Sequence, residues 1–183
     1  MTDGKQLLVD FADAIADLDR STIPFKTFQP GAGPYGEPQL VAEVARRLAE
    51  KPEYRGARTK RKPDLLIPDQ WAIEVKIARP FGDNGKEAEN WSVNLLHPYS
   101  GNTSSIGDAL KLQEYDGQER RMVVVVGYEH SPAVISLSPL FDSFEVIARD
   151  VMAIKLGKRL QETRCQLIHP IHQVLKVVGW EVR

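Results

Sequence analysis

Cysteine is almost absent from this 183-residue chain, where Cys165 stands alone. One thiol permits no internal disulfide and no thiolate cluster, so neither a secreted disulfide scaffold nor a zinc module is expected. Long apolar runs are missing as well. The longest candidate, Met122 to Val126, stops at Gly127, well short of the roughly 20 residues a membrane helix needs. Asp3 and Asp10 lie where a signal peptide would carry basic charge, so a cytoplasmic location without membrane contact is expected. Strong charge of either sign is also lacking. The formal net charge of -1 provides no overall attraction to nucleic acid. No glycine-rich phosphate loop occurs, which argues against ATP-driven function. His130, His169 and His172 lack the spacing of a metal site or a triad, and are expected to be hydrogen-bonded structural histidines.

What remains is the composition of a globular protein, 42% hydrophobic and 27% charged, of a length suited to a single domain over residues 1–183. Leu7, Leu8, Phe11, Ile15 and Leu18 recur at helical spacing and predict an opening amphipathic helix over 5–18. The Pro- and Gly-rich span 21–36 reads as an irregular connection. A second helix is expected from Pro38, with Leu40, Val41, Val44 and Leu48 on its apolar face. Glu37 falls on that inward face, and Glu43 lies at its edge.

The stretch KPDLLIPDQWAIEVKIAR reads as two strands joined by a turn at 68–70. Beyond it, residues 81–104 have the character of a long surface loop, in which His97, Tyr99, Asn102 and Ser104 can reach bases or phosphates. A helix capped by Ser105 follows, running to about Tyr115. Its Asp108, Lys111 and Gln113 are expected on a solvated face. Four consecutive valines near 123–126 predict a strand buried on both faces. Leu140, Phe144, Ile147, Val151 and Ile154 predict another helix, and the span 173–182 predicts a closing strand or two. The order implies an α/β sandwich with helices flanking a mixed sheet.

Two acids meet in the hairpin. If the turn is the three residues 68–70, Ile67 opposes Trp71 and Asp64 opposes Glu74 on one face, with Lys76 two positions further along. Leu65, Ile67, Ile73, Val75 and Ile77 then share the opposite face. A register shifted by one would destroy this segregation, so the hydrophobic pattern supports the pairing. Close carboxylates repel unless something positive lies beside them, and a divalent cation is the natural occupant. Hard oxygen ligands suit Mg²⁺, or Mn²⁺ in its stead, and such a centre hydrolyses phosphodiesters. Just before the Pro63-Asp64 pair, RGARTKRK over residues 55–62 carries five cations and no acid. As a bare run it would read as a solvated basic loop.

Pro63-Asp64 followed by Glu74-Val75-Lys76 resembles the PD-(D/E)XK signature of the restriction-endonuclease-like nuclease superfamily, over roughly residues 36–128. The resemblance implies a three-layer sandwich with a mixed sheet flanked by helices, and a metal-dependent DNA endonuclease akin to type II restriction enzymes. It further implies that Asp64, Glu74 and the Val75 carbonyl hold the metal. Lys76 would assist attack, and Glu37, with Glu43 the second choice, would be a supporting acid. Arg58, Lys60, Arg61 and Lys62 would track the DNA backbone, and a homodimer would cut both strands. A repair or recombination nuclease of the same fold, or a non-catalytic nucleic-acid-binding module, is the alternative.

Overall fold

The computed structural model describes residues 2–98 and 103–183. Helix α1 (Gly4–Arg20) starts where the Asp3 carboxylate accepts from the Gln6 N–H, satisfying a donor that the first turn leaves unpaired. Its stripe of Leu7, Leu8, Phe11, Ile15 and Leu18 is buried throughout. The irregular span after it leads to α2 (Glu37–Ala49), with Pro38 inside the first turn, where its missing N–H costs nothing.

The sheet has six strands: β1 (Arg58–Thr59), β2 (Leu65–Ile67), β3 (Trp71–Ala78), β4 (Arg120–Glu129), β5 (Leu160–Cys165) and β6 (Val174–Val182). They lie in the order β1-β2-β3-β4-β6-β5. Only β3 and β4 run parallel, so the sheet is mixed. The β3–β4 crossover passes through the single turn α3 (Val93–Leu96) and through α4 (Ser105–Gln113), and α5 (Ser138–Val146) follows β4. Alternate residues of the strands feed two separate cores. Ile73, Val75, Ile77, Val124 and Val126 pack with α1 and α2, whereas Ala72, Val123, Val125 and Trp180 pack with α4 and α5. Helices therefore cover both faces of the sheet, and the valine run is buried on both sides as its sequence predicts. No helix among the described residues is long and apolar enough to cross a membrane.

Several expectations shift. Ser104, not Ser105, caps α4, its hydroxyl accepting from the Gly107 N–H. The long loop contains α3. The helical stripe expected to reach Ile154 gives out at Val146 and passes into a π turn over Ile147–Val151. A two-residue strand, β1, begins inside the basic run, and β5 was not expected at all.

Candidate active site

The hairpin pairs Leu65 with Ile73, Leu66 with Ala72 and Ile67 with Trp71, the register that the turn length and apolar pattern require. The pairing stops there. Asp64 sits one residue before β2, with its backbone carbonyl accepting from the Lys60 N–H at 3.2 Å. Its side chain takes over where the strand ends, and Oδ2 accepts from the Val75 N–H at 2.9 Å. Within a strand the N–H and C=O of one residue point to the same side. The Val75 carbonyl is therefore directed toward the same open edge as the Asp64 carboxylate.

Glu74 is 6% exposed. Four other acids are equally deep, and each has donors of its own. Asp10 meets Lys51, Tyr54 and Gln6; burial pushes its pKa up, but these partners outweigh it and hold the carboxyl below its usual range. Asp19 accepts from the Ala32 and Ile168 N–H groups. Glu129 pairs with Lys176 and accepts from the Leu137 N–H. Asp108 lies between two lysines. Like Asp19, Glu74 has no cation within ion-pair reach among the described residues, but Asp19 is satisfied by two backbone N–H groups whereas the nearest partner of Glu74 is another carboxyl, that of Asp64. Burial, then the Asp64 charge, drives the Glu74 pKa far above the carboxylate range. Burial beside a second carboxylate therefore favours the neutral form of Glu74.

Lys76 stands between the layers. Its Nζ lies 3.2 Å from Glu37 Oε1 on α2 and 3.3 Å from Asp108 Oδ2 on α4. Burial presses its pKa down, yet the Asp108 and Glu37 carboxylates prevail and hold it above the ordinary value, so Lys76 is a fixed cation. Burial likewise raises the Glu37 carboxyl against the opposing pull of Lys76. Lys111 takes the other Asp108 oxygen at 2.7 Å. Among the described residues, Lys76 and Lys111 alone make ion pairs within this largely buried cluster of Glu37, Asp64, Glu74 and Asp108. Glu43 is elsewhere, paired with Arg46 and Arg47 on the outer surface of α2.

The donor set suits a divalent cation. Among the described residues no three acid, histidine or cysteine side chains converge into a closed ligand cage. A small hard cation needs none, because Mg²⁺ binds through one or two carboxylates and keeps several waters. Asp64 and Glu74 would supply such a pair, and the raised Glu74 pKa reflects the negative charge that a metal there would neutralise.

Arg58, Lys60, Arg61 and Lys62 are exposed and make no ion pair among the described residues. Lys60 and Arg61 line a depression that reaches Glu37 and Asp64, while Lys62 lines another that reaches Glu74 and Lys111. The basic segment therefore spans the two mouths of the acid cluster. Asp108 and Lys111, expected on a solvated helix face, instead belong to the site, and Asp108 is 3% exposed. Its place on the α4 stripe with Ser105, Ala109 and Leu112, at helical spacing, was the signal for this. Gln113 lies apart, reaching the Arg183 carbonyl. Ser104 is structural, donating to the His97 carbonyl and capping α4. Tyr99 and Asn102 lie outside the described residues. His169 and His172 are buried and stacked on one another, away from the acids.

No family model, no curated protein and no solved structure matches this chain.

Proposed function

We propose that this chain is a Mg²⁺-dependent nuclease that hydrolyses DNA phosphodiester bonds, with the restriction-endonuclease-like fold that its Pro63-Asp64 and Glu74-Val75-Lys76 motif resembles. The observation that carries the reading is Glu74, buried beside the half-buried Asp64 carboxylate with no cation within ion-pair reach among the described residues. Such a pair is costly in a chain that uses it for stability alone. It is economical in one that loads a cation there.

Asp64, Glu74 and the Val75 carbonyl would hold the metal, with Glu37 near enough to act through a bound water. The metal, when bound, lowers the pKa of a water and offsets charge growing on the phosphate. Lys76 is kept protonated by Glu37 and Asp108. It therefore serves as a positioned cation that orients the attacking water or stabilises the pentacovalent oxyanion, and not as a general base. Arg58, Lys60, Arg61 and Lys62 have no ion-pair partner among the described residues and are open to phosphates. Each site cuts one strand, so double-strand breaks require two copies, and a homodimer is the simplest arrangement.

The test is conversion of supercoiled plasmid to open circles by wild type and Lys76→Ala, with Mg²⁺ and with EDTA. Metal-dependent nicking that falls about 100-fold or more on removal of the ammonium is expected. Nicking that ignores the substitution, in a variant whose melting is unaltered, defeats the assignment.

A further inference from the structure

Just past the catalytic strand lies a cavity of about 310 Å³ that the acid cluster does not use. Ile77, next to Lys76, forms part of its wall, and Arg79 reaches into it three residues on. Three half-buried aromatic rings, Phe28, Phe81 and Trp91, line the remainder with Asp83 and Glu89. The volume is at the lower limit for small-ligand sites, about that needed for one nucleoside and too small for a helix or a peptide.

Arg79 is the unusual member. One arm of its guanidinium donates to the Gly33 carbonyl at 2.6 Å, and it has no ion pair among the described residues although burial opposes its charge. The remaining donors are left for a ligand. Asp83 and Glu89 likewise have no cationic partner within ion-pair distance among the described residues. A planar cationic fork, carboxylate acceptors and flat aromatic walls together match a nucleobase. Guanine fits best of the four. It offers O6 and N7 as acceptors to a guanidinium and its N1–H and exocyclic amine as donors to a carboxylate. Thymine and cytosine lack that combination, and adenine presents an amine where guanine has O6.

We propose that this cavity holds a single guanine turned out of the strand beside the scissile phosphate, with Arg79 as the specificity-determining residue. The inference rests on the nuclease reading, since it assumes a DNA strand running from the basic segment past Lys76. Extruding a base into a pocket lined by aromatic and polar side chains is a general solution for reading it away from its stack.

Trp91 supplies the probe. Trp71 and Trp180 are fully buried, so quenching of tryptophan fluorescence by a bound base reports the cavity. Wild-type protein in EDTA is titrated with nine-nucleotide oligo(dT) strands bearing one central guanine, adenine, cytosine or thymine. Quenching is expected at roughly tenfold lower concentration for guanine. Arg79→Ala should abolish that preference, and Ala88→Leu, which narrows the cavity and leaves Arg79 in place, should do the same. Equal quenching by all four strands, a guanine preference that survives either substitution in a folded variant, or no quenching overturns the proposal. Because EDTA excludes cleavage, a failure here with intact plasmid nicking removes the cavity assignment alone. Loss of nicking with quenching retained removes only the catalytic reading.

Discussion

Glu74 is the residue on which folding and the proposed chemistry pull in opposite directions. Its carboxyl is protonated where solvent would ionise it, because burial and the Asp64 charge raise its pKa above the ordinary value of 4.5. A raised folded-state value means that the folded chain binds more protons than the unfolded one once the pH exceeds that ordinary value. Stability of the metal-free protein is therefore complete at lower pH and falls as pH rises toward the folded-state value. Glu74→Gln removes the titration while its amide can still donate to Asp64. At pH 8 the metal-free variant should melt at least about 2–4 °C above wild type, the shift that roughly 1 kcal/mol gives at this size. Mg²⁺ at 100 times its Kd should raise the wild-type melting temperature by roughly 5–10 °C and leave the variant unmoved. Scanning calorimetry decides the matter. A variant that is still stabilised by Mg²⁺ would show that Glu74 is not a ligand.

At the scale of elements, the irregular segments around the site are held by a histidine clamp. His169 and His172 stack with ring centroids 4.5 Å apart between β5 and β6. His169 Nδ1 accepts from the Ile171 and His172 N–H groups, and His172 Nε2 bonds the Phe81 carbonyl at 2.9 Å. Gly33, from the connection between α1 and α2, lies against the second ring so closely that an added Cβ would stand 2.2 Å from Nδ1. That nitrogen is buried without a partner among the described residues, so a proton there finds no acceptor among them. Burial accordingly lowers the His172 pKa from 6.5 to about 4. With the folded value below the unfolded one, stability is present above about 6.5 and is lost as the pH falls toward 4. His172→Phe keeps a ring but loses the Phe81 bond, so it should cost about 1 kcal/mol at pH 7. The deficit should shrink as pH falls, because the variant lacks this titration. Urea melts at pH 7 and pH 5 that differ by the same amount in both proteins would disprove the clamp.

The elements also differ in how openly their sequence announced them. The hairpin was legible because two constraints coincide: a three-residue turn and a two-residue apolar alternation admit one register. Strand β5 was not. Its residues LQETRC alternate between half-buried and exposed positions at the edge of the sheet, with charged Glu162 and Arg164 making their own pairs, and offer no apolar face to detect. Asp108 was hidden by its type. An acid on an otherwise apolar stripe reads as a solvated position until the lysine from the facing strand is known, and that contact joins residues 32 positions apart.

For the whole molecule, the proposed nuclease reading requires that a chain with 24 basic and 25 acidic residues hold a polyanion. Pairing allows it. Arg46 and Arg47 are tied to Glu43, Lys51 to Asp10, Arg120 to Glu181, Arg159 to Glu145, Arg164 to Asp13 and Lys176 to Glu129. What the neutral total conceals is a local surplus at residues 58–62, beside the two openings to the acid cluster. Lys60, Arg61 and Lys62 are exposed, so replacing all three by Gln should leave melting within about 0.5 kcal/mol of wild type. Binding should change far more. Each neutralised phosphate releases counterions and contributes about 0.9 to the slope of log K against log salt. The triple variant, titrated with duplex DNA in Ca²⁺ from 50 to 200 mM salt, should therefore lose roughly 2–3 from that slope. Its affinity should fall most at the lowest salt, where screening is weakest. A slope equal to wild type would mean that the backbone is gripped by another face, and the path from the basic segment past Lys76 to the aromatic cavity would have to be redrawn.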